Sequence, residues 1–565
     1  MRIVGVSTTM DCGAVLVEDG RVVAAVNEER FTRHKQQAGI PDRCFDHILT
    51  SRGLRWEDID AIATTGAVDP AADHTAAFRA KERQVLAADL SNETAMDQLV
   101  HLWRRYGKEQ SVRLVRIPAQ LAELRRRCDQ VVAYPHHRAH AQSAVTFFGL
   151  DDALVLTADG WGEDVSSALW RHRDGRLDVL SSSPTISSLG YFYGAVTKHL
   201  GFTPHRHEGK VLGLAARGDA TKTGPTLAKL ISYDPRRKTI DGAYQSGLYV
   251  THYVNPHLAE ILGSFCREDI AAGAQWVLED IVVALLRDQM PAPGPLALAG
   301  GVFANVRLNQ RILDDTPATA VYVMPHMGDG GIGLGAAALA QRALTGAQVE
   351  PVGSLYLGPR FGDDEIVAAL AGSNLEVTRR PTIERDIARL VAEGQVAARF
   401  AGAMEWGPRA LGNRSVLCSA QDPTVNDWLN RRLGRSEFMP FAPVTAAEHA
   451  ADYYVDVDRY APNTGHMTIT VGCTELMRRG CPACVHVDGT ARPQLVTPAD
   501  NPSLHAVLTA HQEFTGVATM INTSFNMHEE PIVATPSDAV RAMHASGLRY
   551  LAIGDHLAVN PAADA

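Results

Sequence analysis

Leu296-Ala-Leu-Ala-Gly-Gly-Val-Phe-Ala-Asn305 reads as a short apolar strand that ends on two glycines and opens into a helix reaching Leu313. The same grammar returns at Val321-Tyr-Val-Met-Pro325, where Met327-Gly-Asp-Gly-Gly331 leads into a helix over Gly333 to Gln341. Strands that each run through a polar or glycine-rich loop into a helix make an α/β fold with ligands at the strand ends. Upstream, Gln130–Tyr134 and Ala153–Ala158 are strands that also stop in polar clusters, and the stretch from Pro70 to about Arg127 is helical and charged. The chain opens on three β-branched runs, at Met1–Val6, Ala14–Val17 and Val22–Val26, which predict a β-meander. Downstream, the Gly/Pro-containing stretch from Thr345 to Gly353 marks a domain boundary. Beyond it lies a second α/β region with helices near 363–372 and 384–394 and strands at 396–400, 467–471 and 517–521. The domains are thus expected at 1–346 and 354–565.

Composition narrows the function classes. Of 565 residues, 45% are hydrophobic and 21% charged, the balance of a folded protein with large cores. Lys and Arg number 54 against 64 Asp and Glu, a formal charge of -10, so the broad cationic field of a nucleic-acid scaffold is missing and a small-molecule partner is expected. No apolar run reaches the roughly 18 residues that span a bilayer, and the first residues lack an apolar leader; cytoplasmic residence without membrane attachment is the expectation. The eight cysteines are scattered, and Cys481-Pro-Ala-Cys484, with Cys473 as its sole neighbour, reads as reduced and structural.

Several motifs carry chemistry. In His136-His-Arg-Ala-His140 a helix would put His136 and His140 at i and i+4 on one face, able to hold one cation. Asp159, in Ala158-Asp-Gly160, and Asp329 both sit where a strand gives way to a glycine-rich loop; they either cap turns or complete a mixed N/O shell of the kind that suits Fe, Mn or Zn. Gly300, Gly301 and Asn305 form either a tight turn or an anion cradle at a helix start. Glu208-Gly-Lys210 reads as a glycine-rich turn whose lysine suits an anion. Arg409 and Arg414, in Gly407-Pro-Arg-Ala-Leu-Gly-Asn-Arg-Ser415, are either solvated or matched to phosphate oxygens. Asn522-Thr-Ser-Phe-Asn526 offers amides and hydroxyls at a strand end.

Taken in order with the runs from Glu28 to Lys35, Ser188 to Gly194, Glu208 to Gly218 and Ala491 to Gln494, these motifs resemble the NodU/CmcH carbamoyltransferase family over nearly the whole chain. The resemblance implies an N-terminal domain of the actin-like ATPase superfamily, similar to the enzymes that place threonylcarbamoyl on tRNA, and a YrdC-like C-terminal domain. It implies an ATP-dependent O-carbamoyltransferase that forms a carbamoyl-adenylate in the second domain and transfers carbamoyl to a hydroxyl of a secondary metabolite in the first. His136, His140, Asp159 and Asp329 would hold a divalent metal, Fe2+ ahead of Zn or Mn, with Mg2+ accompanying ATP. Asp11, Lys35 and Asp159 are the catalytic candidates. Lys210, Gly300, Gly301 and Asn305 would serve the nucleotide in the first domain, and Arg409, Arg414, Asn522 and Ser524 would bind ATP in the second. The partners are then a hydroxyl-bearing small molecule and carbamoyl phosphate or a related donor, and a homodimer is compatible with the family.

The chain departs from the family pattern in three places. Met10-Asp11 stands where the family has His-Asp. The stretch Gly434 to Pro443 keeps only Arg435 of the usual cations, and Met527-His-Glu-Glu-Pro531 follows Asn526 where an arginine and Gly-Glu-Pro are usual. Arg435, Arg492 and His528 remain as donor-binding candidates. An adenylate-forming acyl or amide transferase with another donor is therefore the second reading, and a catalytically degenerate binding subunit the third.

Overall fold

The computed structural model describes residues 1–67, 75–87, 91–242, 256–434 and 439–563. The start of the expected helical stretch at Pro70, and Arg435, lie outside the described residues. Residues 1–8, 15–22 and 55–351 pack as one compact unit, and residues 9–14, 23–54 and 352–565 as another.

The N-terminal part of the chain carries an internal duplication of sheet topology. One sheet contains β1 (Arg2–Ser7), β2 (Gly13–Glu18), β3 (Arg21–Asn27), β4 (Ala61–Thr65) and β5 (Val131–Tyr134), ordered β3-β2-β1-β4-β5. The other contains β6 (Asp152–Gly162), β7 (Val165–Arg173), β8 (Arg176–Pro184), β11 (Gly294–Ala299) and β12 (Ala318–Val323), ordered β8-β7-β6-β11-β12; a small hairpin, β9 (Ile231–Asp234) and β10 (Thr239–Gly242), precedes β11. Numbered within each sheet, the order is the same, 3-2-1-4-5. Strands one, four and five run parallel in both, and β6, β7 and β8 form an antiparallel meander. The repeat lies in topology, which is why no short-period repeat shows in the sequence.

In both copies a helix follows the fifth strand. His136–Phe148 follows β5, and Ile332–Thr345 follows β12 through the Asp329–Gly331 turn; the two helices pack on each other. The contact is backbone to backbone. A Cβ added at Gly335 would stand 1.8 Å from the carbonyl oxygen of Ala139, so only glycine lets the helices come this close. This is how the sequence brings the turn containing Asp329 to the His136–His140 helix.

The second unit is built on an eight-stranded mixed sheet, β13-β22-β21-β14-β15-β20-β16-β19. Its strands are β13 (Glu376–Arg379), β14 (Ala397–Phe400), β15 (Arg414–Ser419), β16 (Ala442–Ala446), β19 (Gln494–Val496), β20 (Thr519–Ser524), β21 (Tyr550–Ile553) and β22 (His556–Val559), with β17 (Val471–Gly472) and β18 (Thr490–Ala491) in a separate pair. The helices Ile383–Ala392 and Pro502–Thr515 bury Ile387, Val391, Leu504, Val507 and Leu508 against Leu417, Val444 and Met520 of the sheet. Both units are α/β. Among the described residues, no helix is long and apolar enough to cross a membrane.

Three local expectations are corrected. The strand expected at 467–471 is reduced to Val471–Gly472, and Asn463–His466 is a helical turn. The Asn463 carbonyl accepts from both the Thr468 amide and its hydroxyl, a local bonding pattern that competes with a ladder. Glu208–Ala215 is a helix, since the burial of Val211, Leu212 and Leu214 outweighs two glycines. The helix expected from Val302 is broken: Gly301–Ala304 is a tight turn, and Asn305 caps the helix Val306–Asp315 by accepting from the Leu308 amide.

Gly335→Ala is expected to cost about 3 kcal/mol or more, the upper range for overpacking, because backbone rather than a flexible side chain must move. Chemical denaturation of the purified variant measures it.

Candidate functional site

Three strand ends of the first unit are tied together. The Gly300 amide donates to the Met327 carbonyl at 2.7 Å, joining the end of β11 to the loop before Asp329. Gly300 has φ +106, and a Cβ there would lie 2.1 Å from the Ala158 carbonyl oxygen, so this glycine also presses on β6 just before Asp159. At Gly301 an added Cβ would come within 3.1 Å of Asp159 Oδ1. The glycine pair thus makes room beside Asp159. Ser188 Oγ donates to the Asp159 carbonyl and accepts from the Tyr191 amide, which fixes the same loop from the other side.

Into this junction the His136–Phe148 helix projects two imidazoles. His136 Nε2 and His140 Nε2 lie 3.0 Å apart, as their i, i+4 spacing predicts. His140 Nε2 is 3.1 Å from Asp159 Oδ2 and 3.6 Å from Asp329 Oδ1; His136 Nε2 is 3.9 and 3.5 Å from the same two atoms. All four candidate ligand atoms fall within 4.8 Å of one another. A cation about 2.1 Å from each ligand holds neighbouring donor atoms about 3.0–3.4 Å apart, so the cluster has the dimensions of a coordination shell. Two nitrogens and two carboxylate oxygens suit Fe2+, Mn2+ or Zn2+.

Electrostatics say the same of this cluster. Burial opposes charge on His136, yet Asp329 and Asp159 outweigh it and hold its imidazole well above the ordinary range. Burial also opposes ionisation of Asp159, but the hydrogen bonds from His136 and His140 keep it well below the usual carboxylate range. For Asp329, burial and the charge of Asp159 are overcome by the same two histidines, and its pKa is lowered. The carboxylates are thus held as anions that attract a positive charge between them. Asp159 Oδ1 accepts from the Gly160 amide at 2.6 Å, which orients Oδ2 toward the histidines.

His137 lies between the two and is not part of the cluster. Its Nδ1 is 3.0 Å from Thr157 Oγ1 and its Nε2 3.0 Å from the Val165 carbonyl, so both nitrogens are engaged. Burial, with the charges of His136 and His140, pushes its pKa down to about 3. A neutral His137 anchors the helix to β6 and β7. Sequence reading missed two supporting groups, His137 and Glu163, whose buried carboxylate accepts from the His136 amide at 2.9 Å and is pushed up to about 7 by burial. Their only sequence signal is proximity to the ligands.

The structure places the remaining first-unit candidates as follows. Lys210 is buried in its helix. Asn305 is held in a side-chain network, its Nδ2 donating to Gln275 Oε1 at 2.8 Å and its Oδ1 accepting from Gln275 Nε2 and the Leu308 amide. It acts as a cap, not as a free amide for a nucleotide. Asp11 and Lys35, read as part of the N-terminal domain, group with the second unit. The segment around them is bound there, as the Ala25 amide donates to the Leu357 carbonyl at 3.1 Å.

In the second unit the loop from Gly407 to Ser415 is organised by an internal anion. Glu405 Oε1 accepts from the amides of Leu411, Asn413 and Arg414 at 2.8, 2.7 and 3.2 Å. Those amides are therefore not a cradle for phosphate. Arg414, expected to grip ATP, is wholly buried; its Nη atoms donate to the carbonyls of Ala401, Asn413 and Pro359 and its guanidinium lies 3.7 Å over the Phe400 ring. It braces the loop. Asn522 Nδ2 donates to the Ala410 carbonyl at 3.2 Å and to Gln494 Oε1 at 2.6 Å, and Gln494 Nε2 donates to the Leu411 carbonyl. Three motifs far apart in sequence, at 407–415, 491–494 and 522–526, are joined in this way. Arg409, Arg492, Ser524 and His528, which these motifs and the adjoining loop carry, are half-buried.

Comparison with known proteins divides the chain by sequence, with residues 9–14 and 23–54 of the second unit falling inside the N-terminal match. Residues 2–338 match the family described as Carbamoyltransferase N-terminus, and residues 388–560 the family described as Carbamoyltransferase C-terminus. An uncharacterized protein of Synechocystis sp. is 29% identical, covering 98% of this chain and 95% of its own. Nodulation protein NolNO of Sinorhizobium fredii is 31% identical, covering 97% of this chain and 78% of its own. A 3'-hydroxymethylcephem-O-carbamoyltransferase of Amycolatopsis lactamdurans is 27% identical over 74% of this chain and 79% of its own.

His137→Ala is expected to lose about 2–4 kcal/mol of stability, through lost packing and two unpaired buried partners, without removing a ligand from the cluster. Denaturant unfolding together with elemental analysis of the folded protein checks both halves of that expectation.

Proposed function

The chain belongs to the carbamoyltransferase family, and from that premise we propose that it is an ATP-dependent O-carbamoyltransferase acting on a hydroxyl-bearing small molecule. The observation that carries this reading is the convergence of His136, His140, Asp159 and Asp329 in the part of the chain that matches the family's N-terminal half. The reaction balances as two steps. Carbamoyl phosphate loses phosphate to water, the resulting carbamate oxygen attacks the α-phosphorus of ATP, and pyrophosphate leaves. The acceptor hydroxyl then attacks the carbonyl of carbamoyl-adenylate, its proton goes to a base, and AMP leaves. The adenylate is needed because a carbamate carbonyl is a poor electrophile and AMP a far better leaving group than oxide.

The chain's residues divide the work. His136, His140, Asp159 and Asp329 would hold a divalent cation; the mixed donor set suits Fe2+, Mn2+ or Zn2+, and the family resemblance puts Fe2+ first. When bound, such a cation supplies Lewis-acid stabilisation of developing negative charge. Gly300 and Gly301 keep the space beside Asp159 open, and Lys210 is the first unit's candidate cation for nucleotide. In the second unit Arg409, Arg492, Ser524 and His528 line the face where ATP and the donor would meet, with Arg435 in the adjoining stretch. Asn522 and Arg414 shape the loop that carries Arg409. An acceptor hydroxyl on a secondary metabolite is supported by the Amycolatopsis relative, whose name specifies a hydroxymethyl acceptor.

Labelled ATP incubated with the protein and carbamoyl phosphate, without acceptor, is expected to release pyrophosphate in a carbamoyl-phosphate-dependent manner. ATP turnover that responds to another carboxylate or amide donor and not to carbamoyl phosphate would replace the donor. His140→Ala is expected to lose the bound metal and at least about a hundredfold in acceptor carbamoylation, since removal of one ligand opens the shell. Equal metal in the variant and the parent, by elemental analysis, would overturn the assignment.

A further inference from the structure

The motif from Glu28 to Lys35 lies hundreds of residues upstream of the second unit's loops, yet it is packed among them. All the residues concerned belong to that one compact unit. Arg30, 5% exposed, donates from Nη2 to the Gly407 carbonyl at 2.8 Å and pairs through Nη1 with Glu29 at 3.1 Å. Gly407 is two residues before Arg409. Arg33 donates from Nη1 to the Ile532 carbonyl at 2.8 Å and from Nη2 to the Pro531 carbonyl at 2.6 Å. Its Nε lies 3.6 Å from Asp538, and its Nη2 3.9 Å from Glu530.

The loop held by Arg33 is the one that carries His528. Its stem closes where the Val533 amide donates to the Phe525 carbonyl, and its turn is closed by Asn526 Nδ2 donating to the carbonyls of Met527 and Glu530. Arg33 grips that stem on the strand returning from His528. Arg33 itself has φ +61, a left-handed conformation that a non-glycine residue adopts at a cost, and it ends the four-residue helix Glu29–Thr32. That conformation turns the chain out of the helix immediately after Thr32. The helix is fixed at its other end by Glu28, whose carboxylate accepts from the amides of Arg43 and Cys44.

A guanidinium presents parallel N–H groups in a rigid fork, which suits two successive carbonyls in a way that a single ammonium does not. We infer that Arg30 and Arg33 are positioning residues for the donor site: one sets the loop that carries Arg409 and the other the loop that carries His528. They fix the spacing of two loops that otherwise join through Asn522 and the sheet. This inference rests on the reading of those loops as the place where ATP and the donor bind. It also gives the upstream motif a task distinct from the metal cluster, and it means that a fragment beginning near residue 352 lacks part of its own donor site.

The test uses the full-length protein and measures pyrophosphate release from ATP as a function of carbamoyl phosphate, with metal content and thermal midpoint recorded for each variant. Arg33→Gln is expected to raise the KM for carbamoyl phosphate about tenfold or more while kcat falls less than threefold and metal content is unchanged. Arg33→Lys, which keeps the charge and can reach one carbonyl, should lie between the two; Arg30→Lys, which faces a single carbonyl, should restore most of what Arg30→Met loses. If Arg33→Gln fails to fold, Arg33→Lys alone decides, by a raised KM or an unchanged one. A lowered thermal midpoint with both KM values unchanged would overturn the positioning role. Absence of carbamoyl-phosphate-dependent pyrophosphate release in the parent protein would instead overturn the donor-site reading on which the inference stands.

Discussion

Two carboxylates and two imidazoles held with their donor atoms inside 4.8 Å make an arrangement that only a shared positive charge stabilises. Asp159 and Asp329 repel each other in a buried setting where that repulsion is little screened. Much of the surrounding structure in the first unit exists to keep them there. The glycine at 335 lets one helix reach the other, the glycine at 300 ties β11 to the loop before Asp329, and Ser188 pins the Asp159 carbonyl. None of these residues touches a ligand atom through its own side chain, yet each removes a way for the cluster to relax apart.

The α/β class was legible in the strand, loop and helix grammar around residues 296–341, and the coming together of His136, His140, Asp159 and Asp329 in the coincidence of an i, i+4 histidine pair with two aspartates at strand ends. Those signals are local, and local signals survive in a sequence. The partners of Arg414 and Asn305 were not legible, because a side chain facing solvent and one bonded within the protein have the same composition. Burial and partners distinguish them, and both are set by residues far away: Pro359 and Ala401 for Arg414, Gln275 for Asn305. Glu405 is the clearest case. As a lone acid before a glycine-rich loop it gives no signal, but in the fold it accepts from three amides of that loop. The strand misread at 467–471 failed for a related reason, since alternating threonines resemble a strand until their hydroxyls are seen to bond nearby backbone.

The four-residue His/Asp cluster also draws unequally on the two copies of the duplicated sheet. His136 and His140 come from the helix after the fifth strand of one copy; Asp329 comes from the corresponding connection of the other, and Asp159 from that copy's first strand. The two helices that meet at Gly335 and Ala139 therefore occupy equivalent places. Were the halves two identical chains paired about an axis, each side of that crossing would have to present the same residues, histidine facing histidine or acid facing acid. Joining the halves in one polypeptide lifts that symmetry constraint, so that one half can supply the nitrogen donors and the other the oxygen donors. Donors divided in this way, nitrogens from one half and oxygens from the other, are open to a fused chain and closed to a symmetric pair of identical halves.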